Sequence, residues 1–276
     1  MTQGDVAPDN RPFPGVGSSL TISGMTGVVK KLSTAAALGG AALGGAALAA
    51  EALYAGRRDL PTFEGFDASG EIGDPAKPPL RILVVGDSAT TGPGLSDPDE
   101  IWIRVLAARL SDRFFVRITS LAVGGARSAD VLTGQVPAAI DRDADMTFVA
   151  VGVNDMLRGV PLAVYETNLD AIVVALKPFT RLLVVVGMGD LGTIPRLLTP
   201  LDLIVRRRGR QGDMVAARVA ERRGVVKPNM WALTTQQFRT NPAIWAPDLF
   251  HPSAVGHRVW ADAAWVTIEP YLDSLS

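Results

Sequence analysis

The stretch LRILVVGDSATTG, residues 80–92, decides the fold class of this chain. Its first half is an almost unbroken apolar run, which is typical of a strand buried on both faces of a parallel sheet. Its second half combines an acid, a serine and small residues between Gly86 and Gly92, and this composition predicts a turn into a helix. A lone serine at such a turn is most often a helix N-cap, so a catalytic role for Ser88 needs support from other residues.

Similar apolar runs recur along the chain, at residues 114–120, 146–152, 181–189 and 225–231. Two helical patterns lie between them. In residues 99–113 the apolar residues near one face are Ile101, Val105, Ala108 and Leu110, and in residues 164–178 they are Leu169, Ile172, Val173 and Leu176. Alternating strands and helices favour parallel pairing through right-handed crossovers. We therefore predict an α/β fold, a three-layer α/β/α sandwich, which binds ligands beyond the carboxyl ends of its strands.

The composition excludes several classes of function. The 276 residues carry 27 basic and 28 acidic side chains, a balance that gives no field to attract nucleic acid, and we predict no nucleic-acid partner. The absence of cysteine excludes disulfides, thiolate metal sites and a cysteine nucleophile. Only His251 and His257 can supply an imidazole to a mechanism.

The N-terminal part of the chain differs from the rest. Residues 1–31 are predicted to be a disordered, basic N-terminus, and residues 57–79 a linker or strap before a domain at 80–276. Residues 32–56 are predicted to be a signal peptide or a single membrane anchor, because residues 32–50 are uncharged and rich in Ala and Gly. Either interpretation predicts an exported domain, secreted or tethered to the cell membrane by residues 32–50. Translation from Met25 instead of Met1 would give a typical basic start to a signal peptide.

Ser88, Asp248 and His251 together fit the needs of a serine nucleophile. A serine hydroxyl needs a base within hydrogen-bond reach, and that base needs an acceptor to hold it in one tautomer. In the segment DLFHPSAVGH, Asp248 can orient His251, and His251 can take the proton of Ser88. Glycine-rich chain after the second apolar run and the side-chain amide of Asn154 can supply donors to an oxyanion.

Four sequence blocks in order make the chain resemble the SGNH/GDSL hydrolases, in particular GDSL-type serine esterases of the exported bacterial kind. The blocks are Gly86-Asp87-Ser88, Gly125 in SLAVGGARS, Gly152-Val153-Asn154-Asp155, and Asp248-Leu249-Phe250-His251. The resemblance covers about residues 80 to 270. It implies a flavodoxin-like sandwich around a parallel sheet of about five strands. It also implies that Ser88 is the nucleophile, His251 the base, Asp248 its partner, and that Ser88, Gly125 and Asn154 form the oxyanion hole.

Other polar residues receive structural interpretations. Asp87 is expected to bond the backbone of its turn, and Asp155 to orient neighbouring loops. His257 lies at a helix start and is expected to pack or to form a hydrogen bond. A basic helix is the favoured interpretation of Arg206, Arg207, Arg208 and Arg210; the alternative is a membrane-surface contact with anionic lipid headgroups.

These observations predict a serine esterase that cleaves carboxylic esters through an acyl-enzyme, without a metal or organic cofactor. Short acyl groups of the acetyl type are favoured, on a small-molecule or envelope-linked substrate. The alternatives are a cell-envelope carbohydrate deacetylase, a lysophospholipase or thioesterase, and a catalytically silent glycan-binding module. The complete set of Ser88, Asp248, His251 and Asn154 disfavours the binding module.

Overall fold

The structure is a computed structural model that describes residues 60–275. The predictions for residues 1–31 and 32–56, including the signal or anchor and the choice between Met1 and Met25, lie outside the described residues. Within residues 60–275, no helix has both the length and the apolar character needed to span a bilayer.

A five-stranded mixed sheet forms the centre of the domain. Its strands are β1 (Gly70–Ile72), β2 (Pro79–Gly86), β3 (Phe115–Ser120), β4 (Ala144–Ala150) and β5 (Thr180–Val185). The spatial order is β1-β3-β2-β4-β5, in which β1 runs antiparallel to β3 and the other pairs are parallel. The predicted α/β sandwich is confirmed, although only four of its five strands are parallel.

The helices surround this sheet on both faces. They are α1 (Ser88–Thr91), α2 (Trp102–Leu110), α3 (Ser128–Asp130), a π-helical turn (Val131–Gln135), α4 (Val136–Ala139), α5 (Val153–Leu157), α6 (Leu162–Leu176), α7 (Leu201–Arg223), α8 (Met230–Thr240) and α9 (Ala254–Ile268). Short 3-10 helices are Pro98–Glu100, Lys177–Phe179, Leu191–Thr193, Pro242–Ile244 and Glu269–Ser274.

One hydrophobic core lies on each face of the sheet, between the sheet and the helices. Successive side chains of a strand point to opposite faces, so a strand contributes residues to both cores. Ile82 and Val84 of β2 face the core shared with α2 and α9. Leu83 and Val85 of the same strand face the core shared with α6 and α7. Burial on both faces explains why β2 is a continuous apolar run in the sequence.

The prediction of a strand at residues 225–231 is wrong. Val226 forms a single bridge to Val184 of β5, and the pairing stops there. Pro228 lacks the N–H that a further ladder bond would need, and Asn229 then caps α8 with its side chain.

The fifth strand comes instead from the segment predicted to be a linker. β1 pairs Gly70 with Ile118 and Ile72 with Val116 at the edge of the sheet. Three residues are too few to show the alternation by which strands are recognised in a sequence.

The predicted apolar face of α2 is also partly wrong. Ala108 is exposed, whereas Trp102, Leu106 and Leu110 are buried. The buried face is instead the one formed by Ile103, Leu106, Ala107 and Leu110, which have the spacing i, i+3, i+4 and i+7. The predicted face of α6 is confirmed, since Leu169, Ile172, Val173 and Leu176 are all buried.

Candidate active site

Ser88 lies at the carboxyl end of β2, as the first residue of α1. The preceding residue, Asp87, is the N-cap, and its Oδ1 accepts a hydrogen bond from the Ala89 N–H at 3.0 Å. The backbone N–H of Asp87 donates to the Ala150 carbonyl at the end of β4. Asp87 therefore bonds the backbone of its turn, as predicted. The hydroxyl of Ser88 is then not needed as the N-cap of α1.

The strand end before Ser88 is held by a residue that sequence reasoning missed. The buried side chain of Gln135 accepts from the Gly86 N–H and donates to the Gly86 carbonyl, both at 2.8 Å. A side chain at position 86 is excluded, because an added Cβ would lie 2.4 Å from the Ala150 carbonyl oxygen. Gln135 thus fixes the backbone from which Ser88 projects.

Asp248 and His251 form the pair that their spacing predicts. The Nδ1 of His251 lies 2.6 Å from Oδ2 of Asp248. The other carboxylate oxygen, Oδ1, accepts from the N–H groups of Phe250 and His251, each at 3.0 Å. The side chain of Asp248 is only 5% exposed, whereas that of His251 is 22% exposed and reaches the surface of the site.

The protonation state of this pair follows from its contacts. Burial alone would raise the pKa of Asp248, but the hydrogen bonds from His251 and Phe250 outweigh it and hold the pKa below its usual range. The ionised carboxylate makes Nδ1 of His251 the donor. With Nδ1 as the donor, Nε2 is the ring nitrogen that can accept a proton, as a general base requires.

Gly125 lies in the loop after β3, in a tight turn. The Ala126 N–H donates to the Val123 carbonyl, and Gly125 has φ +77°, a conformation that favours glycine. Within the described chain, the N–H groups of Gly124 and Gly125 donate to no protein acceptor. Within residues 60–275, the loop after β3 therefore offers two backbone N–H groups, those of Gly124 and Gly125, that have no acceptor in the protein.

Asp155 ties this loop to the end of β4. Its two carboxylate oxygens accept from the Ser128 N–H at 2.9 Å and from the Ser128 hydroxyl at 2.5 Å, and Asn168 donates to the same hydroxyl. Both Asp155 and Ser128 are buried. The loop-orienting role expected for Asp155 agrees with these contacts.

Asn154 joins three segments of the site. Its Nδ2 donates to Asp87 Oδ2 at 3.3 Å and to the Ala126 carbonyl at 3.2 Å. Burial raises the pKa of Asp87 to about 6, against the opposing bonds from Ala89 and Asn154. An anion bound by Asn154 would have to replace one of its two present acceptors.

Two cavities meet at Ser88 and His251, and both residues line both of them. One is a small, mainly apolar chamber of about 100 Å³, whose lining includes Trp102, Met188, Ile194, Phe238, Trp245 and Trp260. The other is an open, more polar cleft of about 800 Å³ that is also lined by Gly125 and Asn154. Phe250 borders both cavities.

His257 lies away from this chemistry. It is buried in α9, where its Nδ1 accepts from the Trp102 N–H at 3.2 Å and its ring packs edge-on against Trp260. Burial lowers the pKa of His257 from 6.5 to about 3, so the ring is neutral in the folded protein. The packing and hydrogen-bonding role expected from the sequence agrees with this position.

We expect His257 to make the fold sensitive to acid. Below pH 6.5 the unfolded chain binds a proton on His257 that the folded chain takes up only near pH 3, so stability falls across that interval and is fully present above it. Between pH 7.5 and 4.5 the wild-type protein should lose about 2 kcal/mol more than His257→Asn. Urea unfolding of both proteins at the two pH values measures this difference.

The asparagine variant is the appropriate comparison, because its side-chain oxygen can still accept from the Trp102 N–H. The titration of Asp87 changes the stability of the fold with pH in the opposite direction to that of His257. Its raised pKa gives a stability that is present below pH 3.8 and lost as the pH rises through about 6. This contribution is shared by both proteins and cancels, so equal losses in the two would contradict the prediction.

Three of the four arginines of α7 that were considered for membrane contact already contact the protein. Arg206 Nε lies 3.3 Å from the buried Asp190, and Arg208 donates to the Met156 and Val160 carbonyls. The guanidinium of Arg210 lies 4.9 Å from the centre of the Trp231 ring. These contacts favour the structural interpretation.

The sandwich places the Ser88 turn and the pair of Asp248 and His251 at the edge of the sheet where its parallel strands end, which is where α/β enzymes hold their active sites. Residues 84–259 match the model of the GDSL-like lipase/acylhydrolase family. The chain belongs to this family, and it is a hydrolase of ester bonds. A search of curated proteins finds no match to it.

Solved structures share the fold. The crystal structure of TesA has 23% sequence identity and a TM-score of 0.58, covering 69% of this chain and 98% of TesA. LAE5, an alpha/beta hydrolase from the metagenome of Lake Arreo, Spain, has 22% identity and a TM-score of 0.59, covering 70% and 96%. Axe2, an acetylxylan esterase from Geobacillus stearothermophilus, has 22% identity and a TM-score of 0.57, covering 71% and 95%.

Proposed function

We propose that the protein is a serine esterase in which Ser88 is the nucleophile, His251 the general base and acid, and Asp248 the residue that orients His251. The observation that carries this proposal is the bond between Asp248 and His251 beside two cavities that both expose Ser88. Such a pair converts a weakly nucleophilic hydroxyl into a reactive one.

The proposed reaction has two halves. Nε2 of His251 accepts the hydroxyl proton as Ser88 Oγ bonds to the carbonyl carbon, and the carbonyl oxygen becomes an oxyanion. The N–H groups of Ser88 and Gly125 and the Asn154 amide are the proposed donors to that oxygen. His251 then gives the proton to the departing alcohol, and water hydrolyses the acyl-enzyme by the same route.

The small chamber supports a short acyl group. A cavity of about 150 Å³ is known to hold benzene, so the chamber of about 100 Å³ suits a chain of about four carbons beyond the ester carbonyl at most. Its apolar walls favour alkyl groups, because burial stabilises each methylene by about 0.8 kcal/mol. Acyl groups from acetyl to about pentanoyl therefore fit, and long lipid chains do not.

A chain-length series tests both the reaction and the chamber. With p-nitrophenyl esters from acetyl to palmitoyl, we expect kcat/KM to peak at or below pentanoyl and to fall steeply beyond it. Ile194→Trp places a larger side chain in the chamber wall, so pentanoate activity should fall about tenfold or more while acetate activity stays within threefold. Leu198→Trp, at a nearby exposed position, is the matched control. A peak at palmitoyl, or a profile unchanged by Ile194→Trp, would contradict the proposal.

Export belongs to the same proposal and is supported by the sequence of residues 32–50 alone. An exported esterase would act on envelope-linked or extracellular esters, and envelope carbohydrate acetates suit the short chamber. The membrane contact through Arg206, Arg207, Arg208 and Arg210 stays a prediction, which fails if replacing all four by glutamine leaves liposome binding unchanged. The lysophospholipase alternative is disfavoured by the chamber's size.

A further inference from the structure

The segment of residues 60–69, here called the strap, lies at the active site rather than apart from it. Phe63, Gly65, Phe66 and Asp67 line the open cleft together with Ser88 and His251. The match to the family model begins only at residue 84, so the strap is an addition to the part of the chain that matches. The role of the strap therefore depends on the contacts that residues 60–69 make.

The strap is attached directly to the turn that carries Ser88. The Phe66 N–H donates to the Thr91 carbonyl of α1 at 2.6 Å. At Gly65 an added Cβ would lie 2.3 Å from the Thr91 hydroxyl oxygen, so the strap lies in close contact with α1. This proximity brings the strap to the mouth of the site.

Further contacts hold the end of the strap against the body of the domain. Ala68 is fully buried, and the Ser69 hydroxyl accepts from the Ser120 N–H at 3.0 Å. Arg104 donates to the Ser69 carbonyl at 3.1 Å, and β1 follows directly in the sheet. The strap is therefore an ordered wall of the cleft.

The chemistry of this wall differs from that of the small apolar chamber. Phe63 is 38% exposed although it is aromatic, and its ring lies beside Gly94, where an added Cβ would be 3.3 Å from the ring. Asp67 is exposed, and one of its carboxylate oxygens accepts from the Ser69 N–H. An aromatic face beside a carboxylate suits a ligand that has both an apolar face and hydroxyl groups.

The open cleft is the natural place for the alcohol half of an ester. The acyl half suits the small apolar chamber, and the leaving alcohol needs a path to solvent past His251, which lines the cleft. We propose that the strap forms the alcohol-binding subsite, in which Phe63 stacks on a hydroxylated ring of the carbohydrate type and Asp67 accepts hydrogen bonds from its hydroxyl groups. This inference rests on the proposed esterase function.

A pair of acetate esters tests the subsite in the full chain. We expect Phe63→Ala to raise KM for a partly acetylated methyl xyloside about fivefold to tenfold and to leave KM for ethyl acetate unchanged within twofold. Asp67→Asn should act in the same direction. Glu64→Gln, an exposed acid of the strap that does not line the cleft, is the matched control. Equal changes on both esters, or no change on the xyloside, would overturn the proposal.

A binding measurement separates failure of the subsite from failure of the esterase. In Ser88→Ala, saturation-transfer NMR with the same acetylated xyloside should show binding that Phe63→Ala removes and Glu64→Gln keeps. Binding that depends on Phe63, without turnover by the wild-type protein, would support the subsite and reject the esterase. Turnover without any dependence on Phe63 would reject the subsite alone.

Discussion

Replacing Ser88 by alanine is expected to lower kcat for p-nitrophenyl butyrate by about ten-thousandfold or more, with little change in KM. The reason is that the acyl-enzyme cannot form without the hydroxyl, whereas the chamber and the cleft that bind the ester are left intact. Asp87 already caps α1 through the Ala89 N–H, so the alanine variant should fold with nearly unchanged stability.

The measurement is steady-state hydrolysis together with covalent labelling by a fluorophosphonate probe. Wild type should be labelled at one site and the variant not at all. Ser96→Ala is the control, since Ser96 is exposed and, within residues 60–275, its hydroxyl bonds only the nearby Glu100. Activity in Ser88→Ala above about one hundredth of wild type would show that another residue is the nucleophile.

Replacing Asp248 by asparagine is expected to lower kcat by about ten-thousandfold while the fold persists. Both backbone donors to Asp248 use Oδ1, so the asparagine side chain can keep them on its own oxygen. That orientation places its NH₂ group opposite Nδ1 of His251. The ring must then carry its proton on Nε2, where it can no longer accept a proton from Ser88.

Rates and thermal unfolding of Asp248→Asn should be compared with those of Asp262→Asn, an exposed acid on α9 that pairs with Arg109. The control removes a carboxylate without touching a histidine and should retain full activity. A loss in Asp248→Asn smaller than about tenfold would mean that Asp248 does not set the tautomer of His251.

The features of the site that could be predicted from the sequence involve residues that lie close together along the chain. Asp248 and His251 are three residues apart, so their contact is nearly a local property of the segment. The turn at Asp87 and Ser88 follows directly from the end of an apolar run. The burial of Leu169 and Ile172 was likewise readable, because a helix of fifteen residues shows its period clearly.

The residues that escaped prediction act over long separations. Gln135 holds Gly86 across 49 positions, and nothing in its neighbourhood marks it as more than a helical glutamine. Asp190 is buried between Arg206 and Arg239 on the wall of the chamber. Asp190 follows an apolar run, as Asp87 does, so its place in the sequence could have marked it as a candidate site residue.

The sequence by itself determined the α/β class, the four parallel strands and the set of residues at their carboxyl ends, because periodicity and strand-end chemistry are local properties of the chain. Only the tertiary structure decided that β1 closes the sheet edge, that residues 225–231 do not form a strand, and that the strap reaches Ser88. It also set the sizes of the chamber and the cleft. These features depend on the packing of segments far apart in sequence, where each contact is fixed by the shape of its partner and not by its own neighbours.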